Sequence, residues 1–284
     1  MKLGIGKCNG TFGELIQGTL KDTPFLVSLP INVKSKAIFV PSRKTKKIRS
    51  LSSTAKPKSE QACTLLLQKF NIQRGGILFL TSNLPEGKGM ASSSADIVAS
   101  LRAIANCYSL TIEETIISDI TKEIEPTDGI MYDQLVAYDY INGSLIEVIG
   151  DLPKMILLGI DTGGIVESTL FNQIPKKFSA DEIQLFVEAY SLLKEGLQKR
   201  NLTYIFKAAT ISAKINEKRL PKPFFYELMT IADENNGGVV TAHSGTVIGI
   251  LLPPTKTKRE ISLIAKKMRE ITGEKVSLFS IGRV

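Results

Sequence analysis

The chain has 284 residues, 43% of them hydrophobic and 23% charged, which suffices for one large or two ordinary folded domains and excludes global disorder. A formal net charge of +8, without tryptophan or interleaved aromatic and basic residues, suits a small anionic ligand and argues against base-stacking nucleic-acid binding. Three scattered cysteines argue for reduced thiols rather than a disulfide framework or a zinc site, and no apolar run approaches the ~20 residues of a membrane helix, so a soluble, cytoplasmic protein is expected.

Residues 3–40 alternate short apolar pieces (Leu3–Cys8, Leu15–Gln17, Phe25–Leu29, Ala37–Val40) with turn chemistry, the pattern of an antiparallel β region with a turn at Asn9-Gly10. Pro41–Pro57 is basic and serine-rich and reads as an exposed connection. Glu60–Phe70 has helical spacing, residues 76–82 read as a strand, and Ala95–Tyr108 is small and apolar enough for a buried helix. A capping-box pattern at Thr111 opens an expected helix to Ile124. Pro126 ends that helix, and Ile130–Tyr138 reads as another short one. Strands are expected at Ser144–Val148 and Met155–Asp161, with a domain boundary between 152 and 153. The second half alternates helices (Ala180–Lys199, Leu202–Glu217, Pro223–Glu234, Lys258–Ile271) with strands (Val239–Ala242, Val247–Leu252, Val276–Ile281), an α+β layer.

Four stretches carry chemistry. In LPEGKGMASSSAD, residues 84–96, Gly87 and Gly89 allow a tight turn and close backbone approach to a ligand. Ser92, Ser93 and Ser94 then fall at a helix start, where unsatisfied amides and the positive end of the helix dipole favour an anion, usually phosphate. An ordinary strand–loop–helix junction needs a single capping serine; two glycines and three serines exceed that. The other three are KCNGTFGELIQG at 7–18, EPTDGIMYDQ at 125–134 and GGVVTAHSGTVIGILL at 237–252, the last holding the only histidine. A lone histidine at such a turn is more often hydrogen-bonded structure than catalyst. A G-x-x-x-x-G-K-[ST] loop and a G-x-G-x-x-G in a βαβ unit are both missing, and one histidine disfavours zinc hydrolases and Ser-His-Asp triads.

Together these stretches resemble the GHMP small-molecule kinases. Pro85, Gly89, Met90, Ala91, Ser92, Ser93 and Ser94 match the family's P-x-x-x-G-[LM]-[AG]-S-S-[AS] phosphate signature. C-x-G-x-x-G-E-L-x-Q-G at 8–18, EPTDG at 125–129 and AHSGTVIG at 242–249 are most similar to the L-threonine kinases of cobalamin side-chain synthesis. Asn9 and Thr11 depart from the proline and lysine that many members carry beside the first glycine.

The resemblance implies an α+β GHMP kinase fold. It would comprise an N-terminal domain like ribosomal protein S5 domain 2 (residues 1–152, ATP-binding) and a C-terminal ferredoxin-like domain (153–284), the site lying between them. It implies ATP and Mg²⁺ as cofactors, a small-molecule acceptor as the partner, no nucleic acid or membrane, and a monomer or homodimer. The phosphates fall to the loop from Pro85 through Glu86, Gly87, Lys88 and Gly89 to Ser94, with Lys88 either adding positive charge or facing solvent; Mg²⁺ falls to Ser92, Ser93 and Glu125, with Glu123 as the lesser acid. Asp128 matches the position of the family's catalytic Asp, and Asp133 is its rival. Glu14, Gln17, Thr127 and Ser244 are the substrate-holding candidates, by motif membership. Homoserine or a mevalonate-like alcohol is the alternative acceptor, and a non-catalytic ligand-binding protein of the same fold the alternative in kind.

Overall fold

A computed structural model describes residues 2–166 and 177–282. The chain begins with two long antiparallel strands, β1 (Gly4–Leu20) and β2 (Thr23–Pro41), joined by a two-residue loop in which Lys21 takes a positive φ of 56°. The pieces expected separately at 3–40 are thus one hairpin. Asn9-Gly10 is not a turn: the ladder shifts register between Asn9 and Thr11, again before Glu14, and again before Ile16. Such bulges bend a strand and re-aim its side chains, and here they fall within the 7–18 stretch.

The following segment is not wholly an exposed connection. Ile48 is buried, and Ile48–Leu51 forms a short edge strand, β3, parallel to β4 (Gly76–Ser82). Between them lies α1 (Pro57–Lys69), and α2 (Ser92–Tyr108) follows β4 and packs across β1 and β2. The capping box expected at Thr111 does not form; α3 (Glu114–Lys122) starts later, with Glu113 as an N-cap that makes no side-chain hydrogen bond.

The helix expected at 130–138 is a correction. Residues 129–134 form turns and bends, and Leu135–Asp139 is strand β5, paired with β2 and with β6 (Ser144–Gly150). Every residue of β5 is buried, so the strand lacks the alternation that would distinguish it from a helix in sequence.

The second half contains β7 (Met155–Asp161), α4 (Ala180–Gln198), α5 (Leu202–Glu217), α6 (Phe225–Glu234), β8 (Gly238–Thr241), β9 (Val247–Leu252), α7 (Lys258–Thr272) and β10 (Ser277–Ile281), close to expectation. Gly273 ends α7 with φ at 71°, as a C-terminal glycine should. Among the described residues the ten strands form one sheet in the order β10-β7-β9-β8-β1-β2-β4-β3, with β5 and β6 attached to β2.

β1 joins β8 through a single pair, Glu14 opposite Thr241. A large apolar cluster draws on both halves, including Phe12, Leu29, Leu157, Phe186 and Leu251, and a smaller one lies under α6 and α7. We propose residues 1–152 and 153–284 as the two lobes of this sheet, meeting at that pair. The three cysteines are free and buried. Among the described residues, no helix is long and apolar enough to cross a membrane.

Candidate active site

A cavity of about 500 Å³ lies where β1, the start of α2, the segment after α3 and the turn after β8 converge. It is lined by Glu14 and Gln17, by Glu86, Gly87 and Gly89 to Ser94, by Glu125, Thr127 and Asp128, and by Ser244. Fourteen of the candidate residues therefore share one cavity; Pro85, Lys88 and Asp133 do not line it.

The glycine loop is held by its carbonyl groups. Gly87 O accepts from Val166 N, Lys88 O from Thr246 N and Val247 N, Gly89 O from Gly13 N, and Met90 O from Thr11 N, at 3.0–3.3 Å. A peptide N–H points opposite to its carbonyl in the trans arrangement, so the amides of residues 88–91 point away from these partners. Gly89 adopts φ of 79°, and a Cβ there would lie 2.3 Å from the Cβ of Ala242. A Cβ on Gly245 would meet the Lys88 carbonyl at 2.3 Å. The glycines of the two distant motifs are thus needed because the loops touch. Ala91, left-handed at φ of 53°, precedes α2 without a side-chain cap. The three serines occupy the first turn instead of capping it, so the helix start keeps its positive end open to the cavity.

Charges on this side are paired. Ser93 Oγ donates to Glu125 Oε1 at 2.6 Å, and Lys58 forms an ion pair with Glu125 Oε2. Lys56 pairs with Asp96 at 2.8 Å and with Glu86 at 2.5 Å. Lys88, the cation expected for the phosphates, instead pairs with Asp161 at 2.7 Å and donates to Gly164 O at 2.7 Å. Lys56, Lys58 and Asp96 were not singled out from sequence. Lys56 and Lys58 stand at the end of what reads as a solvated basic connection, and Asp96 lies inside an apolar helix; only tertiary contact brings the three together.

The β1 side of the cavity differs. Glu14 is buried, and its Oε2 accepts from His243 N at 2.8 Å and from His243 Nδ1 at 3.1 Å. His243 Nδ1 also faces a second acceptor, Thr241 O, at 3.2 Å, and Nε2 shares a hydrogen bond of 2.9 Å with Ser212 Oγ. Ser212 Oγ in turn accepts from Gln17 N at 3.0 Å. The histidine is satisfied structure that fixes the Glu14 carboxylate. The Gln17 side chain hydrogen-bonds Tyr140, while its Oε1 is buried without a hydrogen-bond partner among the described residues. Asp128 is pushed up to about 7 by burial first, then by the negative charges of Glu14 and Glu125.

Asp133 lies elsewhere, on a second cavity with Lys7, Asn32 and Asp151, and Glu123 is exposed. The 125–134 stretch therefore divides: Glu125–Asp128 faces the first cavity, and Gly129, Ile130 and Tyr132–Gln134 border the second.

Comparison with known proteins follows the same lines. Residues 58–138 match the family model for the GHMP kinases N terminal domain. An L-threonine kinase of Salmonella typhimurium is 28% identical over 94% of this chain and 88% of its own. A homoserine kinase structure from Cytophaga hutchinsonii superposes with a TM-score of 0.77 at 15% identity, covering 99% of this chain and 96% of that one. A Streptococcus pneumoniae phosphomevalonate kinase in complex with phosphomevalonate and AMPPNP superposes with a TM-score of 0.73 at 14% identity over 100% of both chains. The fold is the α+β GHMP kinase fold.

Proposed function

We propose, for a chain that belongs to the GHMP kinase family, that it transfers the γ-phosphoryl group of ATP to the side-chain hydroxyl of L-threonine, giving O-phospho-L-threonine for cobalamin side-chain synthesis. The observation that carries this reading is the pairing, in one cavity, of an uncapped helix start behind a glycine loop with a buried acidic wall that includes a carboxylate raised to about 7. The L-threonine kinase likeness along most of the chain supports the choice of acceptor.

The residues fit a nucleotide with Mg²⁺. Among the described residues no group of three or more His, Cys, Asp or Glu side chains could hold a metal alone. One carboxylate and neighbouring hydroxyls, Glu125 with Ser93 and Ser92, are what Mg²⁺ asks of a protein when phosphates and water supply its other oxygens. Bound there, Mg²⁺ would offset charge on the transferring phosphoryl group. The loop amides and the α2 start would bind the phosphates, and Glu125 would be kept in place by Lys58 and Ser93.

Asp128 would take the proton from the acceptor hydroxyl; a pKa near the working pH is the best compromise for a general base. Glu14 and Gln17 would hold the substrate ammonium group, and the hydroxyls of Thr127 and Ser244 its carboxylate. The same wall would accept homoserine, the second reading, and would gain nothing from a mevalonate-like acid, which brings no ammonium group. The test is a set of initial rates with L-threonine, L-serine, homoserine and mevalonate at fixed ATP and Mg²⁺. L-Threonine should give the highest kcat/KM; turnover with mevalonate alone, or with none of them, would overturn the reading.

A further inference from the structure

Lys56 immediately precedes α1, and its ammonium group makes two ion pairs that differ in kind. Asp96, on the second turn of α2, is 2% exposed; its Oδ2 meets Lys56 at 2.8 Å and its Oδ1 accepts from Ser35 Oγ at 2.5 Å. That carboxylate is held by a hydrogen bond at Oδ1 and by the Lys56 charge at Oδ2, which has no aligned hydrogen bond among the described residues. Glu86, on the glycine loop, has a side chain 62% exposed; its Oε1 meets Lys56 at 2.5 Å and accepts from Thr54 Oγ1 at 3.3 Å. Lys56, Asp96 and Glu86 all line the first cavity together with Ser92, Ser93 and Ser94.

The charges do not balance. One buried carboxylate neutralises one lysine, so Glu86 is a second anion on a cation that already has a partner. Removing Asp96 would strand a largely buried ammonium group, whereas Glu86 can return to water at little cost, because exposed pairs are weak. A phosphate oxygen is a stronger charge-assisted acceptor than a solvated carboxylate.

We propose that Lys56 is a phosphate-binding cation of this site, that Asp96 with Ser35 positions it, and that Glu86 holds, in the ligand-free protein, the place a phosphate oxygen takes. The inference rests on the kinase reading and changes one part of it: Glu86, expected among the nucleotide contacts, is the group the nucleotide displaces. Asp96 is here a positioning residue, and Lys56 touches the ligand.

A tether between α1 and the loop would use the same contacts, so the test must separate tether from placeholder. Calorimetric titration at low ionic strength, with ATP plus Mg²⁺ and separately with adenosine, does so for the wild-type protein and three variants. Lys56→Met should weaken ATP binding about 10- to 100-fold, the worth of a hydrogen bond to a charged group, and leave adenosine unchanged. Lys56→Arg keeps the charge and should stay within about fivefold of wild type. Glu86→Gln should tighten ATP binding about two- to fivefold, since the competing anion is gone, again without effect on adenosine.

A thermal melt of each variant confirms that it is folded. Lys56→Met binding ATP within about twofold of wild type, equal losses for ATP and adenosine, or weaker ATP binding by Glu86→Gln would each overturn the proposal. A wild-type protein that binds no ATP would overturn the kinase reading and this inference together, and is told apart because it shows before any substitution is made.

Discussion

On the wall built by the glycine loop, the start of α1 and the start of α2, each carboxylate has a lysine: Glu86 and Asp96 share Lys56, and Glu125 has Lys58. On the wall built by β1 and Thr127-Asp128, neither Glu14 nor Asp128 makes an ion pair with Lys or Arg among the described residues, and Gln17 Oε1 has no hydrogen-bond partner there. The first wall sets three ion-paired carboxylates against two lysines, and its glycine loop is pinned by its own carbonyls before a ligand arrives, so its donors need little rearrangement to receive phosphate. The second holds two carboxylates without a Lys or Arg ion pair; burial and then the charges of Glu14 and Glu125 raise Asp128, and the wall favours an acceptor that brings an ammonium group. The difference assigns binding strength to one wall and choice of acceptor and proton transfer to the other.

The comparison is most sharply broken or upheld by Asp128→Asn. Loss of the proposed base should lower kcat by about 10²- to 10⁴-fold. ATP affinity, set by the other wall, should remain within about twofold in a binding titration. A parallel loss of ATP affinity would merge the two walls into one.

Gly89→Val probes the pinned wall. Its Cβ would collide with Ala242, and its φ of 79° is strained for a β-branched residue, so a stability loss of about 2 kcal/mol or more is expected, read as a lower Tm together with weaker ATP binding.

A smaller effect runs the other way. The folded-state pKa of Asp128 is raised above its ordinary 3.8, so the stability it permits is complete below about pH 4 and is lost as pH rises through about 7. Asp128→Asn should therefore melt about 3 °C or more above wild type at pH 8 and together with it at pH 4, in the ligand-free protein.

The smallest effect belongs to Asp133→Asn. Its side chain borders the second cavity, so kcat should stay within about twofold of wild type in the same assay; a dead Asp133→Asn beside an active Asp128→Asn would reverse the assignment of the base.

Much of this was legible where local chemistry is decisive. Met155–Asp161, Leu202–Glu217 and Val247–Leu252 are bounded by turn residues and appear with the expected limits. The glycine–serine loop was legible because its spacing has no simpler use. What failed depended on partners far away in sequence. β5 is buried throughout and so read as a helix, and β3 is an edge strand created by pairing with β4. Asn9-Gly10 carries the local signature of a turn, yet the long ladder with β2 absorbs it as a bulge. Lys56 and Lys58 look like solvated charge until Asp96 and Glu125 are folded against them, and Lys88, placed between the loop's glycines, is drawn off to Asp161. The site was readable as a set of motifs; which cation serves which anion was not.

The most direct test of the two-wall account is the pH dependence of kcat/KM for L-threonine, with both substrates below saturation, in wild type and in Asp128→Asn. Under those conditions kcat/KM reports the ionisations of the free enzyme. The account predicts a wild-type profile that rises with pH through a midpoint of about 7 and a low, flat profile for Asp128→Asn over the same range. A rise with the same midpoint in both proteins, or a flat wild-type profile, would contradict it.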